Sequence, residues 1–188
     1  MPESATPDET QPALERLRTG GRADESALTA LYEAHRAELL GFLVRMIHDR
    51  EAAEELLQDA FIQLIREART GRMPDDPRAW LYRVAANAAI SRGRHGAVWT
   101  RLVPRLLDHR QPVSPEGEFL RTERDAAVHA AMAGLPSDAR AALLLAAQGF
   151  NGHEVAASIG KTEGATRTLM SRSRAQLRLV LEAAEGGP

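Results

Sequence analysis

The segment 151–178 constrains the fold most tightly, because helix starts and stops can be read there almost residue by residue. Asn151 can cap a helix, and Glu154, three residues on, can reach back to the backbone of the cap as in a capping box. The helix so begun carries Val155, Ala156 and Ile159 on one side and meets Gly160, which can take the left-handed conformation that ends a helix. Lys161 follows, and Thr162 is a natural cap for a second helix. In that helix Thr166, Met170, Ser173, Leu177 and Val180 recur at steps of four and three and predict the inward face. Arg167, Ser171, Arg174 and Arg178 form one row pointing elsewhere, and Thr168 and Arg172 form another. Their guanidinium and hydroxyl groups suit phosphates and base edges in a major groove. A short helix, a tight glycine turn and a capped basic helix have the layout of a helix-turn-helix with its recognition helix second. On a lone helix such charge rows would more simply be a solvated face, and the same supersecondary shape can serve packing alone.

Composition narrows the function from the other side. The 188 residues suffice for one domain or two small ones with real cores. No cysteine is present, which excludes disulfides and thiolate metal sites. The six histidines include no pair at metal-binding helical spacing, and His153-Glu154 lacks the second histidine of a zinc-protease helix. No Gly-rich phosphate loop, nucleophile–base motif or metal constellation occurs, so an enzyme is the weakest reading and no cofactor is expected. No run is apolar enough to span a bilayer, and the first twelve residues are acidic and polar rather than signal-like, which predicts a cytoplasmic protein. The formal net charge is only −2. Phosphate neutralisation supplies most non-specific DNA affinity. Either DNA contacts are few or, as we favour, a larger partner supplies most of the grip.

Along the chain, residues 1–22 are rich in Pro, Glu and Thr without periodicity and read as a flexible tail, with room for a short helix near Leu14 to Leu17. A helical domain is expected over 23–95. Its first helix places Leu28, Leu31, Tyr32, Leu39, Phe42, Leu43 and Met46 at helical spacing, with Ser26 as candidate cap. A second opens at Asp49 and turns Ala53, Leu56, Leu57, Ala60, Phe61, Leu64, Ile65 and Ala68 to one side, with Glu54, Glu55, Gln58, Asp59 and Gln63 across the helix. Gly, Pro and Asp break it over 70–77. Asp76-Pro77 then starts a third helix, whose predicted inward stripe is Trp80, Leu81, Val84, Ala85 and Ala88, with Arg83, Asn87, Ser91 and Arg94 on another face. Prolines 104, 112 and 115 with Gly117 mark 96–121 as a flexible linker with short helical pieces. A second helical domain is expected over 122–184. Ala126, Val128, Ala131, Met132 and Leu135 give one helix, Ser137 is the candidate cap of the next, and Leu143, Leu144 and Leu145 help form its core. The predicted fold class is all-α: two small helical domains joined by a flexible linker, the C-terminal one containing the helix-turn-helix.

Taken together, these motifs resemble the two-domain bacterial RNA polymerase sigma factors of the extracytoplasmic-function type, within the sigma-70 family. The resemblance covers roughly residues 28–181. The stretch from Ala53 to Phe61 resembles the acidic helix that engages the polymerase clamp, and Trp80 to Ile90 resembles the promoter-melting helix. Leu135-Pro136, Gly149-Phe150-Asn151, His153 to Ala156 and Thr162 to Arg174 resemble the domain that reads the minus-thirty-five element. Ser91 stands where many relatives carry Asp, Thr166 where Val is usual, and Leu169 where a basic residue is common.

The resemblance implies a promoter-specificity factor that binds core RNA polymerase and promoter DNA, is restrained by an anti-sigma factor, and acts without a small-molecule substrate. Glu54, Glu55, Gln58 and Asp59 would dock on polymerase. Arg83, Asn87, Ser91 and Arg94 would meet the minus-ten element, where the 70–76 loop could wall a pocket for a flipped base. Lys161, Thr162, Arg167, Thr168, Ser171, Arg172 and Arg174 would meet the minus-thirty-five element. Leu57 and Phe61 stay open between core and partner contact, whereas the spacing of Trp80 with Val84 and Ala88 favours core. Two other classes remain: a stand-alone helix-turn-helix regulator, recognised by tight polymerase-independent binding to a two-fold site, and a sigma-like module that titrates a regulator and directs no transcription.

Overall fold

Each helix boundary follows from a local backbone device. The computed structural model describes residues 25–102 and 123–185, and all regular structure among them is helical. The tail, with the helix expected near Leu14, and most of the linker lie outside the described residues. We number the helices α1 (Glu25–Ile47), α2 (Arg50–Arg69), α3 (Pro77–Leu102), α4 (Glu123–Ala133), α5 (Ser137–Ala147), α6 (Gly152–Ile159) and α7 (Glu163–Glu185). By its contacts the chain divides between Ala89 and Ile90, within α3.

In the first unit α1 and α2 form a hairpin across a two-residue turn. His48 takes the left-handed conformation at φ 56° and its N–H donates to the Val44 carbonyl at 2.8 Å. Asp49 then caps α2, its carboxylate accepting from the Ala52 N–H at 3.1 Å. Ser26, the expected cap of α1, lies within that helix instead. The far end of α2 closes with the Arg72 N–H donating to the Glu67 carbonyl and the Gly71 N–H to the Ala68 carbonyl. Gly71 sits at φ 72°, which completes a Schellman motif that a side chain would strain. Asp76 caps α3 through the Ala79 N–H at 2.9 Å, ahead of Pro77 in the first turn. The helix runs seven residues past 95 into the expected linker, as far as Leu102.

The core of this unit is Ala27, Leu31, Leu39, Phe42, Leu43 and Met46 of α1 with Ala53, Leu57, Ala60, Phe61 and Leu64 of α2. Leu57 and Phe61 are buried, which settles them as core. From α3 the buried stripe is Leu81, Tyr82, Ala85, Ala86 and Ala89, while Trp80, Val84 and Ala88 are only half-buried, so the stripe is rotated from the expected one. Aromatic pairing explains the rotation. Tyr82, 1% exposed, meets Phe42 edge-to-face at 5.2 Å, and the Arg78 guanidinium lies over its ring at 5.2 Å from the ring centre. Tyr32 and Phe61 make the corresponding α1–α2 pair at 4.9 Å. Each such pair adds about 0.5–1.5 kcal/mol beyond area burial.

Two side chains of this unit make its stability depend on pH. Burial, and secondarily the Arg78 charge, hold the His35 imidazole below its usual 6.5. The unfolded chain therefore binds a proton that the native state resists. The His35 contribution to stability is complete above pH 6.5 and is lost progressively as pH falls from there through the lowered native pKa. Burial pushes the Tyr82 hydroxyl up from 10.0 to about 12, so stability also falls as pH rises from 10 toward 12. The expected result is a lower urea midpoint at pH 5.5 than at pH 7.5, with His35→Gln flattening the acid limb. An acid limb unchanged by that substitution would refute the assignment.

In the second unit α4 ends at Gly134 and Pro136 takes the cap position of α5 at φ −52°, ψ 145°. Ser137, expected as the cap, is the first helical residue and makes no capping bond, because the proline already supplies the extended geometry while its carbonyl accepts from the Arg140 N–H at 2.9 Å. The end of α4 is closed by a side chain. The Arg140 guanidinium donates to the carbonyls of Met132 at 2.9 Å, Ala133 at 2.6 Å and Leu135 at 3.1 Å. Desolvation by burial lowers the Arg140 pKa below the usual arginine range. The buried face of α5 is Ala139, Ala141, Ala142 and Leu145, with Leu143 and Leu144 half-buried, so alanines supply much of the core expected of leucines. Val128 on α4 is exposed rather than inward. A second Schellman motif, with Gly149 at φ 87°, ends α5 and sets Phe150 beside Leu145 in the core.

Candidate nucleic-acid interface

The predicted helix-turn-helix is present with its signals intact. The Asn151 carboxamide oxygen accepts from the N–H groups of His153 at 3.0 Å and Glu154 at 3.1 Å, while Glu154 accepts from the Asn151 N–H at 2.7 Å. This is the full capping box on α6. Gly160 ends α6 at φ 67°, ψ 38°, and the Lys161 N–H donates to the Ala156 carbonyl. The Thr162 hydroxyl accepts from the Ala165 N–H at 3.3 Å and so opens α7. Val155, Ala156 and Ile159 of α6 are buried, as are Thr166 and Ser173 of α7. Met170 and Leu177 are half-buried and Val180 is exposed, and the half-buried Leu181 takes the next place on the inward face of α7. Leu169 is half-buried.

Thr166 carries an isolated cost. Its side chain is 1% exposed and its hydroxyl finds no partner among the described residues. Valine has the same shape without the hydroxyl. Thr166→Val is expected to stabilise this unit by about 1 kcal/mol, raising its melting temperature by about 4–8 °C. An unchanged or lower melting temperature would show that the hydroxyl is satisfied in solution.

All seven residues expected at the upstream DNA element are exposed: Lys161, Thr162, Arg167, Thr168, Ser171, Arg172 and Arg174. Arg167, Arg172, Arg174 and Arg178 make no ion pair or hydrogen bond among the described residues, which leaves four guanidinium groups of one helix for an external anion. Two of the seven are differently placed. Lys161 pairs with Asp138 at 3.1 Å, and the Thr168 hydroxyl donates back to the Gly164 carbonyl at 3.0 Å. Beside the arginines an open groove of about 420 Å³ runs between Gly152 of α6 and Glu163, Arg167, Met170, Ser171 and Arg174 of α7. Glu163 also belongs to this face, four residues before Arg167 at the head of the same row, where its charge runs against that of the arginines.

On α3, Arg83, Asn87, Ser91 and Arg94 follow one another by four, four and three residues along one line. Arg83, Asn87 and Arg94 are exposed and Ser91 is half-buried. The Asn87 amide donates to the Arg83 carbonyl at 2.9 Å, which turns its oxygen outward as an acceptor, and Arg94 reaches the Ser91 hydroxyl at 3.4 Å. Before this helix, Met73 pins the loop by packing with Leu28 against Ala27 and Leu31.

On α2, Glu54, Glu55, Gln58 and Asp59 are all exposed, and Glu54 pairs with Arg50 at 3.0 Å. Ile62, missed from the sequence, is 44% exposed on this helix, three and four residues after Asp59 and Gln58. An apolar residue out of phase with the buried stripe was its available signal. No helix among the described residues is long and apolar enough to cross a membrane, and no group of His, Asp and Glu there could hold a metal ion.

The geometry is that of an all-helical protein whose helix-turn-helix carries arginines unpaired among the described residues. Comparison with known proteins gives the family. Sigma-70 region 2 matches residues 31–97 and sigma-70 region 4 matches residues 125–177. The chain is 31% identical over 180 residues to RNA polymerase sigma-H factor of Pseudomonas aeruginosa, covering 90% of this chain and 92% of that one. It is 31% identical over 171 residues to RNA polymerase sigma factor CarQ of Myxococcus xanthus, covering 89% and 95%. Its fold is similar to those of sigma factor RpoE of Bartonella quintana, solved with the anti-sigma factor NepR, and of CnrH, solved with the cytosolic domain of CnrY. The TM-scores are 0.59 and 0.63 at 20% identity, covering 93% of this chain and 95% and 97% of those chains. The chain belongs to the sigma-70 family of RNA polymerase sigma factors, in its extracytoplasmic-function branch. It is a promoter-recognition factor, and the stand-alone regulator and the titrating module are not favoured.

Proposed function

We propose that the protein divides promoter recognition between two tethered modules, 23–95 and 122–184, joined by 96–121, both riding on core RNA polymerase. In this reading Glu54, Glu55, Gln58 and Asp59 orient the polymerase contact. Arg83, Asn87, Ser91 and Arg94 hold unpaired bases and phosphates of the minus-ten element. Lys161, Arg172 and Arg174 grip phosphates of the minus-thirty-five element, with Thr162 framing the helix start, while Arg167, Thr168 and Ser171 face its bases. The observation that carries the reading is the row of guanidinium groups on α7 without partners among the described residues, on a helix held by a complete helix-turn-helix. Tethering raises the effective concentration of each module for its element, so each contact can be weak alone. That suits a net charge of −2. The protein works by binding, makes or breaks no bond, acts in the cytoplasm, and is restrained by an anti-sigma factor, an arrangement supported by the partner of the Bartonella quintana relative.

The polymerase contact is tested by reversing its charge. A protein carrying Glu54→Lys, Glu55→Lys and Asp59→Lys is expected to bind core polymerase about tenfold more weakly or worse, chiefly through slower association, with its melting temperature nearly kept because the three side chains are exposed. Wild-type affinity and association rate in the folded variant would remove α2 from the interface.

A further inference from the structure

Glu163 is the first residue of α7 and stands in line with Arg167, Ser171 and Arg174. It lines the same groove as these three residues. Its side chain is 53% exposed, and one carboxylate oxygen lies 3.0 Å from Nδ1 of His153 on α6. The remaining acceptor capacity of the carboxylate is free to face outward. A carboxylate on a face that meets DNA is repelled by phosphates, so its favourable place is against a base edge that donates. The N-terminal residues of a recognition helix are those that reach base edges. In the major groove a carboxylate finds its best donor in the cytosine N4 amino group. Adenine sets the N7 acceptor beside its amino group, and guanine offers only acceptors there, so both are poorer partners.

We infer that Glu163 is a specificity-determining residue of the minus-thirty-five interface, which accepts a hydrogen bond from cytosine N4 at one position of the element, and that His153 is the positioning residue that holds its carboxylate. The inference rests on the promoter reading above. It explains why an acidic side chain heads a row of arginines, and it gives the exposed His153 a task in base choice.

The test is transcription by core polymerase from a promoter pool randomised across the upstream element, with the full-length protein and with Glu163→Gln, Glu163→Ala and His153→Ala. The wild-type protein is expected to favour cytosine over guanine about tenfold at one position. Glu163→Ala abolishes that preference while preferences elsewhere stay. Glu163→Gln moves it to adenine, whose N6 and N7 match a carboxamide. His153→Ala weakens the same position and no other, which a purely structural brace would not do. If polymerase-dependent starts occur but Glu163→Ala and Glu163→Gln leave every base preference unchanged, the assignment of Glu163 is overturned and the promoter reading stands. If the wild-type protein yields no dependent starts, the promoter reading fails and takes this assignment with it.

Discussion

A Leu57→Asp protein is expected to lose the fold of the first helical unit. Leu57 is 5% exposed in the middle of the buried face of α2, with Ala53, Ala60, Phe61 and Leu64. The substitution forfeits about 1.5–3 kcal/mol of apolar burial. It also demands that a carboxyl be buried without a partner, which costs about 2–7 kcal/mol even in the neutral form. The sum rivals the whole stability of a small domain, about 5–15 kcal/mol. Hydrogen exchange is the suitable measurement, because amides of α1 and α2 should lose protection while those of α5 to α7 keep it. Leu57→Met, which nearly conserves volume, should cost less than about 1.5 kcal/mol. Native protection in the Asp variant, with polymerase binding lost, would instead make Leu57 a docking residue.

The other large effect is expected on α7. Arg167→Ala and Arg174→Ala should each lower output from a cognate promoter about tenfold, and together roughly a hundredfold, since tenfold corresponds to about 1.4 kcal/mol and a good base contact is worth about 1–3 kcal/mol. Both side chains are exposed and make no ion pair or hydrogen bond among the described residues, so melting temperatures should barely change. The two variants should differ in kind. Arg167→Ala should relax base preference at one position, whereas Arg174→Ala should weaken binding evenly across sequences and reduce the salt slope by about one. Normal output from both folded variants would remove α7 as the recognition helix.

Helix ends were legible in the sequence wherever a side chain or a glycine makes them locally. Asn151 with Glu154, Gly160, Thr162, Asp49 and Asp76-Pro77 each work through bonds within a few residues, and each is found as read. Ser137 was misread because Pro136 ahead of it already takes the cap geometry. Helix faces were legible only where apolar residues leave one side clearly polar. In α3 nearly every phase from Ala79 to Ile90 carries an apolar side chain, so periodicity does not select a face; Phe42 on α1 does, by drawing in Tyr82. In α5 three adjacent leucines suggested a core that alanines largely provide, since small residues let helices approach closely. The exposed acidic and basic residues were legible as rows. Glu163 and Ile62 were not, because each carries a charge or an apolar group against the character of its row, and such exceptions are seen only once the neighbouring helix positions are fixed.

The central claim is that this chain gives core polymerase its promoter choice through two separate DNA elements. Its most direct test is transcription from a pool of promoter fragments by purified core polymerase, with and without the protein, mapping every start that depends on it. The account predicts dependent starts that share two elements at fixed spacing, upstream preferences altered by Arg167→Ala and downstream preferences altered by Asn87→Ala. An absence of dependent starts, with tight binding of the protein alone to a two-fold DNA site, would contradict it.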